Sequence, residues 1–426
     1  MNRRWLIAAM VLPLLGGCNS ENDVPGEVEE EELPISLSAS TSVATRAGTD
    51  PEIDQDATDR LLNFWVMAWK TVNSTDTQVM NGQLVERESK TADWTYSPLR
   101  YWDKAASKYL FVGYESSDPT NVSVDETNAK LKFTNIPQWQ LYSYSVTTSN
   151  TDKNTSVTDS TILGDAATKD YMISRSTGTP ASYLLGANPG VVHLSFYHLL
   201  SRLNIRAFCE ANDGVQATTK YLIEKVTLSS FPANPPVDAN KKGVPNTSNT
   251  LSEYWFEYKK DVPTNKTILD NTGYSVFSPT PSTSPTNLGD VNLYPVENIA
   301  KDETTKYLLL SSTKAKPTLI SSWIVAPFDL SHIYTSGSGY CLALQVVYDA
   351  RVYDETTKKY SYTQYTSKWV PITDKDGNLL TKLEPNTEYT LVLDVQKGTL
   401  AVLLDVAILP WTDSETHASP HDVHNW

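Results

Sequence analysis

Apolar and polar positions alternate strictly over residues 33–43. Leu33, Ile35, Leu37, Ala39 and Val43 share one face, and Ser36, Ser38, Ser40 and Ser42 the other. A period of two predicts a half-buried β-strand with its aliphatic side inward. Residues 44–51 are small and turn-rich and hold one arginine, Arg46, so the strand is expected at a sheet edge, followed by an exposed, easily cleaved loop. Apolar runs of strand length recur at 63–69, 78–85, 94–101, 108–114, 121–135, 191–208, 222–229, 307–310, 320–326, 341–353, 360–372, 388–395 and 400–409. Asn81-Gly82 predicts a two-residue hairpin turn and Asp376-Gly377 a second turn. Helical patterning is confined to a turn or two at 168–172 and 198–203, whereas 232–250 and 278–287 read as long Pro/Ser/Thr/Asn loops. The expected fold class is all-β, built as β-sandwiches with long loops and little helix. A boundary near residue 190 divides the chain into an N-terminal domain, 33–190, and a C-terminal domain, 191–410, with a polar tail at 411–426.

The first 32 residues carry a different pattern. Arg3 and Arg4 precede an apolar run over 5–15, and Leu15-Gly16-Gly17-Cys18 closes it. The order of charge, apolar stretch and small-residue exit predicts a secretory signal peptide, 1–17. The run is too short for a bilayer span, which takes about 20 residues. A cysteine at the exit is a lipid acceptor, so Cys18 is the expected lipidation site and first mature residue. Residues 19–32 contain seven acids and no base, a solvated tether that cannot bury a core. The tether reads equally as a plain spacer or as a surface-export signal of the kind found on some lipoproteins.

Composition narrows the function classes. Formal net charge is -15 and no Lys/Arg cluster is present, which argues against nucleic-acid binding. Two cysteines remain beyond Cys18, Cys209 and Cys341, and a distant pair of this kind is compatible with a bridge or with free thiols. His417, His421 and His424 lie close together, but Pro420 opposes the helix that would converge them, so a solvated tail is expected and no metal site. His193 and His198 lie in an apolar run and read as core or edge histidines. HExxH, Walker, GxSxG and paired-glycine motifs are absent, and neither an enzyme nor a cofactor is expected.

Four features in order give the chain a resemblance to a known family. They are the lipobox at Cys18, the amphipathic strand ending in Thr45-Arg46, the aromatic segment 101–114 (YWDKAASKYLFVGY), and His198-Leu-Leu-Ser-Arg-Leu-Asn-Ile-Arg206. Pro410-Trp411 after the last apolar run fits as well. Together they resemble the Mfa-like fimbrillins of type V pili, over the span from the signal peptide to about Trp411. The resemblance implies two tandem transthyretin-like β-sandwich domains, and a surface fimbrial subunit delivered as a lipoprotein to the outer membrane. It implies an arginine-specific cut between Arg46 and Ala47, departure of the strand carrying Leu33, Ile35, Leu37, Ala39 and Val43, and its replacement by a donor strand of another subunit. Leu33, Ile35, Leu37 and Val43 leaving a sheet would give up roughly 6–12 kcal/mol of apolar burial, so the opened edge would demand a partner. The chain departs from the pattern at its end. Leu400, Val402, Leu404, Val406 and Ile408 read as the last strand of the second domain, and the polar tail with Pro420 makes a poor donor. That points to a tip, accessory or non-polymerising role, with a host protein or glycan as the expected ligand. The competing reading is a surface lipoprotein that binds glycans for nutrient capture.

Overall fold

The computed structural model describes residues 33–41 and 61–410, apart from 90–91, 117–118, 126–129, 138, 148–159, 165–170, 186–187, 213–218, 233–250, 258–273, 276–290, 294–307, 331–339, 358 and 396–401. The expectations for Cys18, Val43, Arg46, Ala47 and the histidine tail fall outside the described residues. Within them the chain is all-β, as the patterning predicts. The α-helix described is Pro180–Leu184, with Thr179 as its N-cap accepting the Ser182 N–H.

Strands are numbered in chain order. The first sheet has the order β1-β10-β9-β4-β2-β3. Its members are β1 (Ser36–Thr41), β2 (Asn63–Val72), β3 (Thr75–Glu86), β4 (Lys108–Ser116), β9 (Tyr171–Gly178) and β10 (Val191–His198). A four-stranded sheet, β14-β13-β6-β5, comprises β5 (Val122–Asp125), β6 (Lys130–Pro137), β13 (Leu251–Glu257) and β14 (Tyr274–Ser275). The second six-stranded sheet runs β24-β23-β11-β17-β7-β8, from β7 (Trp139–Thr147), β8 (Ser160–Gly164), β11 (Ser201–Phe208), β17 (Thr318–Val325), β23 (Thr387–Val395) and β24 (Val402–Pro410). A further sheet runs β15-β12-β19-β20: β12 (Thr219–Pro232), β15 (Val291–Asn292), β19 (Tyr340–Asp354) and β20 (Lys359–Thr366). β16 (Leu308–Leu309) and β21 (Val370–Pro371) pair along it, and β18 (Phe328–Asp329) pairs β22 (Lys382–Leu383).

Three cores explain the patterning. In β2, Phe64, Val66 and Ala68 face one core and Met67 and Trp69 another; in β4, Tyr109 and Phe111 face the first while Leu110, Val112 and Tyr114 face the second. Both strands are therefore buried on both sides, which is why they read as unbroken apolar runs. The second core is completed by Leu131, Phe133 and Ile136 of β6. The third lies between Leu203, Ile205, Tyr389 and Leu391 on one sheet and Ile223, Leu228, Leu344 and Val346 on the other.

The pairings run across the division expected near residue 190. β10 belongs to the first sheet, the chain turns at 199–200, and β11 enters the second; β13 pairs back onto β6. The crossing is held by residues 384–386: Asn386 N–H donates to the Leu200 carbonyl (3.0 Å) and Ser201 Oγ to that of Glu384 (2.6 Å). The run 198–203, expected to hold helix, is a bend followed by strand, because its β-branched and apolar alternation from Leu203 to Ala207 serves the core.

Two local expectations change. The hairpin turn between β2 and β3 is Asn73-Ser74, both with positive φ (49° and 64°), as a type I′ turn requires. Asn81-Gly82 instead lies inside β3, where Gly82 (φ 60°) accompanies a register shift against β2, a bulge that a glycine admits. The 94–101 segment is not a regular strand; it carries two isolated bridges, Glu86 to Thr95 and Pro34 to Tyr101.

Cys209 and Cys341 are free and buried, and burial pushes both thiols up from the ordinary range.

Candidate functional site: the slot of the first strand

β1 lies at one edge of the first sheet and runs parallel to β10, from Ser36 opposite Val191 to Thr41 opposite Phe196. The expected alternation places its side chains. Ile35 and Leu37 are buried, at 1% and 5% exposure, in the core formed by Phe64, Phe111, Val192, Leu194 and Phe196. Ala39 is half-buried against the same core. Leu33, grouped with these by period alone, is 44% exposed. The chain at Leu33 precedes the strand and is held by its backbone, so its side chain lies outside the core. Among the described residues of this segment two aliphatic side chains, Ile35 and Leu37, are fully buried, about 3–6 kcal/mol of apolar burial.

On the other face, the exposed His193 of β10 sits between two strand serines. Its Nδ1 is 2.9 Å from Ser38 Oγ and its Nε2 2.9 Å from Ser40 Oγ. His193 is thus an edge histidine tying β1 to β10, while His198, at the other end of β10, is buried.

The start of β1 is held differently. Ser36 N–H donates to the Gly190 carbonyl (2.9 Å) on the β10 side, while on the opposite side Ile35 N–H donates to the Arg100 carbonyl (2.7 Å). Trp102 N–H donates to the Leu33 carbonyl (3.0 Å), and Pro34 bridges Tyr101. The Tyr96 hydroxyl donates to the Ile35 carbonyl (2.6 Å) and accepts from the Arg100 N–H (3.3 Å). Burial pushes the Tyr96 phenol up from its ordinary range, so it remains a donor. This segment is pinned by Trp102, buried and packed edge-on against Tyr109 (4.8 Å between centroids) and stacked on Tyr183 (5.1 Å). Tyr109 in turn accepts the Asp103 N–H (2.7 Å), and Asp103 pairs with Lys70 (2.7 Å).

Tyr96, Arg100 and Trp102 are the residues of this site to which sequence reasoning gave no role, whereas His193 was read as a core or edge histidine. The contacts of Arg100 and Ile35 are made by backbone, which leaves no side-chain signature; the aromatic density of residues 94–102 was the one available signal. The motif at 198–206, by contrast, is a scaffold. Leu199 and Leu200 face the second core and Leu203 and Ile205 the third. Among its polar positions, Asn204 Nδ2 donates to Glu388 Oε1 (2.7 Å), Asn204 Oδ1 accepts from Ser322 Oγ (2.6 Å), and the Arg206 guanidinium donates to the Pro317 carbonyl (3.0 Å). The last apolar run, β24, is paired along its length with β23, from Pro410 opposite Thr387 to Val402 opposite Val395.

Among the described residues no group of three metal-ligating side chains converges.

No protein-family model and no curated protein matches the chain. Solved structures do. A fimbrial protein from Bacteroides vulgatus ATCC 8482 superposes with a TM-score of 0.51 at 16% identity, covering 89% of this chain and 99% of that one. The C-terminally truncated tip fimbrial protein Mfa3 from Porphyromonas gingivalis superposes more loosely, with a TM-score of 0.33 at 9% identity over 84% of this chain and 96% of that one. The chain therefore has the fold of a fimbrial protein.

Proposed function

We propose that this chain is a structural and adhesive subunit of a cell-surface fimbria, exported as a lipoprotein through Cys18 and assembled by strand exchange after a cut between Arg46 and Ala47. The observation that carries the reading is β1. A short edge strand inserts Ile35 and Leu37 into the core of the first sheet, and the sequence places Arg46 a few residues beyond it. An apolar strand that can leave its sheet uncovers the β10 edge and an aliphatic groove together, the two features that strand addition uses. The fold shared with a fimbrial protein supports the same class. In this reading the chain is two tandem domains divided near residue 190, its precursor is anchored at the outer membrane, and its partners are other fimbrial subunits. The paired state of β24 favours a tip or accessory position, since the last apolar strand is already used within the chain.

The test is proteolysis. Limited trypsin should cut the folded protein first after Arg46, and the cut form should yield SDS-resistant ladders with partner subunits. Arg46→Ala should abolish both and leave the uncut fold intact. An Arg46→Ala protein that enters fimbriae as efficiently as wild type overturns activation at this residue.

A further inference from the structure

β1 is the edge of its sheet, but the residues that lead into it are covered on their outward side. Backbone groups alternate in direction along a strand, so the Ser36 N–H bond to Gly190 directs residues 36, 38 and 40 toward β10 and residues 35, 37 and 39 away from it. At 37 and 39 the outward side has no strand beside it among the described residues, since β1 ends the sheet. At 33 and 35 that side is occupied. The Leu33 carbonyl accepts from Trp102, the Ile35 N–H donates to Arg100, and the Ile35 carbonyl accepts from Tyr96. Residues 33–35, which lead into β1, are thus bridged to residues 100–102, while the outward side of β1 itself, at 37 and 39, is open. The covering segment is not a loose loop: Trp102 is 7% exposed and packs on Tyr109 and Tyr183.

We propose that residues 96–102 are a latch that closes over the start of the slot and selects the strand that can fill it. The proposal rests on the strand-exchange reading and specifies the incoming partner. That partner is a β-strand of another subunit, parallel to β10, with aliphatic residues where Ile35 and Leu37 now sit and a small residue in place of Ala39. At the position of Ile35 it carries a free amide N–H, which excludes proline there, because that N–H and its carbonyl must satisfy Arg100 and Tyr96 on the latch side. Hydroxyl side chains flanking His193, as Ser38 and Ser40 do, complete the match on the outer face. The asymmetry also sets an order: exchange begins at the open 37–41 end and finishes when residue 35 docks under the latch.

The experiment uses the protein cut after Arg46 and synthetic peptides of residues 33–41 in three forms: unmodified, N-methylated at Ile35 and N-methylated at Leu37. Both modifications alter the backbone alike, but only the first removes an N–H that the latch receives. The Ile35 form should bind about fivefold or more weakly than the Leu37 form, the factor set by one backbone hydrogen bond. Tyr96→Phe should weaken the unmodified and Leu37-methylated peptides while leaving Trp102 packed, as read by its fluorescence. Equal affinity of the two methylated peptides overturns the latch and leaves strand exchange standing. Failure of the unmodified peptide to bind overturns the exchange reading, and with it the partner specification. The latch geometry itself is then read in the uncut protein by residue-resolved amide hydrogen exchange. Protection at Ile35 matching that at Ser36, with fast exchange at Leu37, supports it; equally fast exchange at Ile35 and Leu37 overturns it.

Discussion

Leu33 and Ile35 are equivalent in the alternation of the sequence and different in the fold, and that difference is measurable. Ile35 is 1% exposed among Phe111, Val192 and Leu194, whereas Leu33 is 44% exposed. Truncating a buried isoleucine to alanine costs about 2–5 kcal/mol, the lost transfer energy plus a cavity. An edge site can partly collapse, so Ile35→Ala is expected near the lower end, about 2–3 kcal/mol. Leu33→Ala removes side chain that is already half in water and leaves no enclosed cavity; its cost should stay below about 1 kcal/mol. Urea unfolding of the uncut protein, followed by tryptophan fluorescence, reads both, because Trp102 and Trp94 pack on the same core. A second reading comes from the protein cut after Arg46. There, a loss of 2–3 kcal/mol in strand retention should speed release of the strand by roughly 30- to 150-fold for Ile35→Ala and only a few-fold for Leu33→Ala. Equal shifts in the two variants would show that the strand is not seated as described, and would refute the assignment of Ile35 and Leu37 as its anchors.

Two further outcomes are expected. A Cβ on Gly113 would lie 2.8 Å from Phe196 Cζ and 3.1 Å from Leu194 Cδ1, so Gly113→Ala should overpack the floor beneath β1 and lower stability by about 1–3 kcal/mol; a midpoint of denaturation unchanged from wild type would show that Phe196 yields freely. The Lys70–Asp103 pair holds Asp103 below the usual carboxylate range, chiefly through the hydrogen bond from Lys70, and the same bond raises Lys70. Its stabilisation is therefore present above about pH 4, is lost as pH falls through the depressed Asp103 value, and is lost again as pH rises through the raised Lys70 value. Both side chains are about 30% exposed, so Asp103→Asn should cost under about 1 kcal/mol at neutral pH. The gap from wild type should close in acid, and a gap that widens instead would contradict the pairing.

The sequence by itself determined the all-β class, many of the strands and, for most of those, which side chains share a face, although β7, β8, β9 and β13 were not among the expected runs and 94–101 is not a regular strand. Alternation over 33–43 located β1 and its buried Ile35 and Leu37, and the unbroken apolar runs of β2 and β4 marked strands covered on both sides. These are local properties, because a strand's period of two follows from its own backbone geometry. The partner of each strand is not local. β1 pairs with β10, some 155 residues away in sequence and parallel to it, and nothing in residues 36–41 names that partner. The same holds for the Asn-Gly pair, whose left-handed glycine suits a hairpin turn and a bulge equally until the register against β2 selects the bulge. It holds also for Leu33, whose face is apolar by period yet whose surroundings depend on where the core ends. The latch over β1 was beyond sequence reasoning for a further reason. Backbone N–H and carbonyl groups of Leu33, Ile35, Arg100 and Trp102 make most of it, and every residue but proline carries the same ones. Only the tertiary packing of Trp102 onto Tyr109 and Tyr183 brings those groups within bonding distance.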